Sequence, residues 1–345
     1  MTADSTEPAA TPERLQGRKI LVTGPAGQIA RPLVEFLRQD NEVWGIARFG
    51  DSAIRDEIEE LGVRTRAIDI ADGEFGDLPG DFDHVVHLAA YRAPGFDYDE
   101  ALRVSAEGTH LLLHHCRAAR SALVMSTVEV YRPRADPWHV LEESDVLGDS
   151  NSKLYPTYSI AKIAQESVAR ACARSLRLPV VIPRLNASYG PNGGLLSYHL
   201  HAVLAGDPIP VRWDPAVYTP IHQEDINAQL APMLAAASTP ATIVNWGGDQ
   251  TVTVAEWTAY MSELTGRPAK IVLREVPGGI RGMAASNARR LAITGPSGMT
   301  WQQGVRRLVE SLAAAPAGAP AAKRASTVLQ AIGQEAPTSV AAGLL

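Results

Sequence analysis

Cysteine is scarce in this chain of 345 residues: Cys116 and Cys172 are the only two. Each lies in an apolar helical pattern, which excludes a disulfide framework and reads as buried thiols in a reducing cytoplasm. Lysine occurs only at positions 19, 153, 162, 270 and 323, so arginine carries most of the positive charge. The net charge is −6, which leaves no basic field for nucleic acid. No run approaches the roughly 18 apolar residues of a membrane span. The opening MTADSTEPAATPER is acidic and polar, without the apolar core of a secretory signal. The nine histidines show no metal-ligand spacing. His114 and His115 are adjacent on a helix and face different ways, while His84 and His222 read as structural. There is no Gly-x-Ser-x-Gly elbow, no P-loop and no internal repeat. These exclusions leave no sign of a disulfide scaffold, a nucleic-acid surface, a membrane span or a metal centre.

From Arg18 onward, short apolar runs alternate with helical patterns. KILVTG (19–24), EVWGIAR (42–48), VRTRAIDI (63–70), HVVHLAA (84–90), ALVMST (122–127) and LPVVIPRL (178–185) read as strands. Helices are expected at 28–39, 52–61, about 98–120 and up to about Leu176. This rhythm predicts an α/β, Rossmann-type doubly wound parallel sheet. After Asn186 glycine, proline and aromatic residues crowd 189–220, and a helix is expected at 253–265. The expected organisation is a leader at 1–17, a dinucleotide-binding domain at 18–186, a smaller C-terminal substrate-binding lobe at 187–312 with return elements to the sheet, and an Ala/Pro-rich tail at 313–345.

Two segments carry the chemistry. Thr23-Gly24-Pro25-Ala26-Gly27-Gln28-Ile29-Ala30 joins the first strand to the first helix. Gly24 permits a tight turn, Gly27 lets backbone approach phosphate, and small Ala30 allows close helix–strand packing. The helix N-terminus then offers N–H donors to a pyrophosphate. Tyr158-Ser159-Ile160-Ala161-Lys162 sets a phenol and an ammonium four residues apart, on one helical face. A phenol titrates near pH 10, and a neighbouring ammonium is expected to draw that value toward neutrality. Tyr155 is the rival phenol but has no lysine four residues on. Ser126 and Thr127 close the fifth strand, where a hydroxyl can donate to a developing oxyanion. At the end of the second strand Arg48 stands where NAD enzymes place a carboxylate, which suits the 2′-phosphate of NADP; Asp51 lies close enough to offset it. Asp69, with Ile70, closes the third strand within reach of an adenine.

These residues resemble the extended short-chain dehydrogenase/reductase family, which contains nucleotide-sugar epimerases and dehydratases. The likeness runs over about 18–312. TGPAGQIA is similar to the family's TGxxGxxG/A, HLAA to its fourth-strand motif, STVEVY to S-[ST]-x-x-V-Y and YSIAK to YxxxK. RLNASYGP, IHQED and NWGGDQTVTVAE match three later motifs. The resemblance implies a triad of Thr127, Tyr158 and Lys162, with Tyr158 the acid/base and Thr127 binding the substrate oxygen. Lys162 would bind the nicotinamide ribose and lower the tyrosine pKa. It places the dinucleotide on Gly24, Ala26, Gly27, Gln28, Ile29, Leu88, Ala89 and Ala90. It also implies a homodimer packed through the helices at 98–120 and 157–175.

Three departures shape the expected function. Ser105 replaces the asparagine of the helix motif NVxGTxNLL. Thr127-Val128-Glu129 replaces the Thr-Asp-Glu of sugar 4,6-dehydratases, and valine cannot act as general acid for water loss. Tyr218-Thr219-Pro220 replaces the R-D-F whose arginine grips a diphosphate. The expectation is therefore an NADP-preferring oxidoreductase, with NAD also possible, acting on a small, non-nucleotide carbonyl or alcohol. Tyr91, Arg92, Thr127, Glu129, Asn186, Trp213 and Tyr218 are the candidate substrate contacts. The alternative is a nucleotide-sugar epimerase or decarboxylase with tightly bound NAD, which Glu129 supports. A cofactor-sensing regulator is a third reading, and the intact Tyr158–Lys162 pair argues against it.

Overall fold

A computed structural model describes residues 14–152 and 154–314. The expected leader and tail lie outside the described residues, except for 14–17 and for 313–314, which end the last helix.

Eight strands form one parallel sheet. In chain order they include β1 (Lys19–Thr23), β2 (Glu42–Ala47), β3 (Arg64–Ala67), β4 (His84–His87), β5 (Ser121–Val124), the two-residue β6 (Ser126–Thr127) and β7 (Val180–Leu185). The spatial order is β3-β2-β1-β4-β5-β7, followed by the strand Thr242–Trp246, with β6 paired to β7. The order reverses between β1 and β4, and ligands of such sheets bind at the carboxyl ends beside that point.

Alternation along the strands feeds two cores. Ile20 and Val22 face one side of the sheet, against Leu33, Val34 and Leu37 of α1 (Ala30–Leu37). Leu21 faces the other, against Leu112 and Cys116, with Cys172 of a later helix in the same cluster. Both cysteines are free and buried, and burial pushes the Cys116 thiol up to about 12. On α1 the buried residues Ala30, Leu33, Val34 and Leu37 form one stripe, and Pro32 falls in the first turn, where a missing N–H costs least.

Two expected elements are broken. The helix expected at 98–120 is α3 (Tyr98–Leu102), a π-type turn at Arg103–Glu107, and α4 (Gly108–His115). Ser105 lies in that turn, and its carbonyl accepts the Thr109 hydroxyl at 2.5 Å. The strand expected at 122–127 is interrupted at Met125, between β5 and β6. The helix of the tyrosine–lysine pair, α5 (Tyr158–Leu176), runs to its expected end.

The second half supplies α6 (Leu195–Ala205), α7 (Gln223–Ala235), α8 (Val254–Thr265), α9 (Ala288–Thr294) and α10 (Trp301–Ala314), with three small sheets. Ile226, Leu230 and Met233 of α7 return to the main core, as does Trp246. A separate core around Tyr189, Leu200, Trp257 and Leu308 holds the lobe together. Gly194 seats α6 with φ +106°, and a Cβ there would stand 2.1 Å from the Ser188 carbonyl oxygen, so only glycine fits. Among the described residues no helix is long and apolar enough to cross a membrane, and no group of side chains could hold a metal ion.

Candidate active site

The loop after β1 has the geometry of a phosphate cradle. Gly24 turns the chain with φ +66°, its N–H donates to Ile46 O, and Gly27 N–H donates to Gly24 O at 2.9 Å. A Cβ at Gly27 would crowd that carbonyl at 3.1 Å. No side chain caps the N-terminus of α1; Arg31 N–H donates to Gly27 O at 2.9 Å and Pro32 has no N–H, so the helix end meets an anion through its first residue and the loop before it. The loop and helix fit a dinucleotide pyrophosphate. Gln28 ties this loop to the lobe: its Nε2 donates to Ser188 Oγ, and its carbonyl accepts Asn192 Nδ2 at 2.9 Å.

A buried chain of hydrogen bonds links the cradle to Lys162. Leu88 and Ala89 N–H both donate to Thr23 Oγ1, at 3.0 and 2.9 Å. The Thr23 proton therefore goes to His87 Nδ1, 2.7 Å away, which fixes the neutral ring with its proton on Nε2. That proton is donated to Thr109 Oγ1 at 2.9 Å. Gln165 Nε2 also donates to Thr109, and Gln165 Oε1 accepts Lys162 Nζ at 2.7 Å. Lys162 Nζ donates again to Met125 O, the carbonyl released by the break between β5 and β6. Burial, then the Lys162 charge, pushes His87 down to about 3. Neutral His87 is a fixed strut between strands.

Tyr158 is buried, and the Thr127 side chain acts on its hydroxyl. Thr127 Oγ1 also accepts the Glu129 N–H at 3.2 Å. The expected triad is thus brought together in space. Its electrostatics differ from the expectation. Burial raises the Tyr158 hydroxyl above the ordinary phenol range, opposed by Arg92 and by Thr127. Lys162 points at Met125 and Gln165, and burial followed by Arg92 lowers it to about 7. The lowered phenol expected from the ammonium is not found, because burial of the phenol dominates.

Tyr158 and Thr127 line a cleft of about 370 Å³ together with Gln28, Ile29, Arg92, Glu129, Asn186, Trp213 and Tyr218, while Lys162 is buried behind its wall. Asn186 offers the cleft little, since its Nδ2 donates to Met283 O and its Oδ1 accepts Ala187 N–H. Tyr91 is partly buried and does not line the cleft, whereas its neighbour Arg92 does. Arg48, past the end of β2, acts on the charge of Glu100 in α3. Asp51 accepts the Ala53 N–H as the cap of α2 (Ser52–Glu60). Asp69 accepts the Ala71 N–H and pairs with Arg103 at 3.7 Å, so its carboxylate is already held. Ile70 packs into the core, and Ala90 is exposed.

Sequence reasoning missed three features. Gln165, one turn beyond Lys162, is visible in retrospect from its spacing. Arg212 lines the cleft beside Trp213, within electrostatic range of Tyr218. Behind the cleft wall Glu166 and Arg184 form a bidentate pair at 2.9 and 2.7 Å, with Ser126 Oγ donating to Glu166 at 2.5 Å. Arg212, just after the strand Pro208–Val211, brings a cation to the cleft that the uncharged Tyr218-Thr219-Pro220 did not foreshadow.

The family model described as NAD dependent epimerase/dehydratase family matches residues 20–224. The chain belongs to this family. The epimerase/dehydratase relatives include dTDP-D-glucose 4,6-dehydratase of Dictyostelium discoideum, 29% identical over 195 residues, covering 50% of this chain and 44% of that protein. The dTDP-glucose 4,6-dehydratase of Neisseria gonorrhoeae is 28% identical over 237 residues, covering 58% and 64%. The chain thus spans less than two thirds of the length of these relatives. In fold it is similar to UDP-glucuronic acid 4-epimerase of Bacillus cereus, solved with UDP-glucuronic acid and NAD (TM-score 0.72, 20% identity, covering 85% of this chain and 99% of that one). It is also similar to dTDP-glucose 4,6-dehydratase of Streptomyces venezuelae, solved with NAD (TM-score 0.71, 23% identity, covering 86% and 97%). These epimerase/dehydratase relatives favour the nucleotide-sugar alternative over the expected reductase of a non-nucleotide substrate.

Proposed function

We propose that this enzyme oxidises and reduces a sugar hydroxyl on a nucleotide-linked sugar, as an epimerase or decarboxylase. The observation that carries this reading is Arg212 in the same cleft as Tyr158 and Thr127. A guanidinium there can pair with a diphosphate, and the aromatic surfaces of Trp213 and Tyr218 beside it suit a nucleoside. Glu129 brings a carboxylate to the same cleft, while Val128 leaves no acid for the water loss of a 4,6-dehydratase.

Residues 18–186 bind the dinucleotide in this reading, and 187–312 close over the sugar. When bound, the nicotinamide supplies the hydride acceptor and donor. The loop at Gly24–Ile29 and the N-terminus of α1 would hold its pyrophosphate, and Lys162 would serve its ribose. Tyr158 takes the proton of the sugar hydroxyl and returns it, and the Thr127 hydroxyl binds the same oxygen. The two free cysteines fit a cytoplasmic protein. A homodimer through α4 and α5 follows from the family resemblance.

Calorimetry with UDP and dTDP tests the substrate class. Micromolar dissociation constants are expected, with Arg212→Ala weakening them about tenfold or more, the worth of one charge-assisted bond. Affinity no better than millimolar would return the reading to a non-nucleotide substrate.

The cofactor is a nicotinamide dinucleotide with the NADP form preferred, supported by Arg48 past the end of β2. NADPH is expected to bind about tenfold more tightly than NADH, with Arg48→Ala removing most of the difference. Equal affinities would make Arg48 a surface residue and NAD the working cofactor.

A further inference from the structure

We propose that Gln28 is a positioning residue that couples the two halves of the site, so that a dinucleotide on the glycine loop and a sugar nucleotide in the cleft tighten each other's binding. The identity of the second ligand rests on the nucleotide-sugar reading above.

Two consecutive residues of the loop take four bonds from the lobe. Gln28 Nε2 donates to Ser188 Oγ at 3.3 Å, and Gln28 Oε1 accepts the Tyr198 hydroxyl at 3.4 Å. The Gln28 carbonyl accepts Asn192 Nδ2 at 2.9 Å, and the Ile29 carbonyl accepts Gln223 Nε2 at 3.3 Å. Two glycines of the lobe leave room for the Gln28 side chain. A Cβ at Gly193 would stand 3.4 Å from its Cγ, and one at Gly194 would stand 2.9 Å from its Nε2. Ser197 Oγ bridges Gly190 O and Gly193 O, at 2.6 and 3.0 Å, and fixes this turn.

The planarity of the peptide turns these bonds into a coupling. In a trans peptide the C=O and the following N–H point in opposite directions. Holding the Gln28 and Ile29 carbonyls toward the lobe therefore aims the Ile29 and Ala30 N–H groups away from it. Among the described residues neither N–H donates to a backbone carbonyl, and both belong to the loop and helix end that fit a pyrophosphate. An anion on those N–H groups polarises the same two peptide units and strengthens the bonds to Asn192 and Gln223. Gln28, Ser188, Gly194 and Tyr198 also line the cleft that holds Thr127 and Tyr158. The first ligand thus orders a wall that the second would otherwise have to order itself. Such coupling is reciprocal and amounts to about 5- to 150-fold in affinity.

The test is calorimetry of UDP on the full-length protein, first freed of bound dinucleotide and then saturated with whichever of NADPH and NADH binds more tightly. The parent is expected to bind UDP about fivefold or more tightly when loaded. Gln28→Leu removes the two side-chain bonds and Asn192→Ala removes one carbonyl bond. Each should shrink the ratio of affinities, and the double variant should bring it to about one. A parent ratio of one, or a ratio unchanged in the double variant, overturns the proposal and leaves the four bonds as static contacts. If Gln28→Leu does not fold, the ratio in Asn192→Ala decides. UDP binding no better than millimolar in both states of the parent would be a failure of the nucleotide-sugar reading instead. Hydrogen exchange then decides on Gln28 without UDP: the dinucleotide should slow the backbone amides of 188–198 about fivefold or more in the parent and leave them unchanged in the double variant. Equal exchange with and without dinucleotide in the parent overturns the coupling.

Discussion

Turnover of Tyr158→Phe is expected to fall by about 10²–10⁴, the usual contribution of a positioned acid/base, while dinucleotide affinity stays within a few-fold. The substitution removes one oxygen from a buried ring that keeps its packing. Thr127 Oγ1 retains the Glu129 N–H, so little desolvated polarity is left behind. Lys162 retains Met125 O and Gln165, so the ribose side of the site keeps its shape. The expected signature is a loss in kcat with an unchanged cofactor titration. Tyr155→Phe serves as the comparison, because Tyr155 lines the same cleft but has no lysine one turn on. Steady-state kinetics showing Tyr158→Phe within tenfold of the parent would move the acid/base role to Tyr155.

How much of this site could be read in the chain follows from how local each signal is. The glycine turn, Thr127, Tyr158 and Lys162 are set by short motifs on a strand end and one helix, and they meet where the sheet topology places them. The π-type turn at Arg103–Glu107 and the break at Met125 are one-residue adjustments inside regular patterns, and periodicity cannot register them. Arg92 and Arg212 lie in loops, where charge is common and direction depends on packing from other elements. The direction of the Lys162 ammonium was invisible for the same reason: Met125 is 37 residues away in the chain. Thus Tyr218 correctly marked a missing arginine at its own position, yet could not show that Arg212 reaches the same cleft.

The largest expected stability effect lies one layer behind the site, at Glu166 and Arg184. Both side chains are almost fully buried, 4% and 3% exposed, and their bonds are bidentate. Arg184 also donates to the Tyr131 hydroxyl at 2.9 Å and to Glu143 O at 3.0 Å. Tyr131 donates onward to Asn245 Oδ1 at 2.6 Å, which ties α5 and β7 to the strand Thr242–Trp246. Removing one partner strands the other charge in the interior, a loss of about 3–5 kcal/mol, which is a large share of a typical domain's stability of about 5–15 kcal/mol. Glu166→Gln and Arg184→Met should each lower the unfolding midpoint in urea by that equivalent. The double variant Glu166→Gln/Arg184→Met should be less unstable than the sum of the two, because neither charge is then left alone. Glu166→Gln should also reduce turnover, since Ser126 Oγ donates to Glu166 and Ser126 precedes Thr127 on the cleft wall. Additive losses in the cycle would mean that the two residues act through separate contacts and that the pair is not the unit holding this wall.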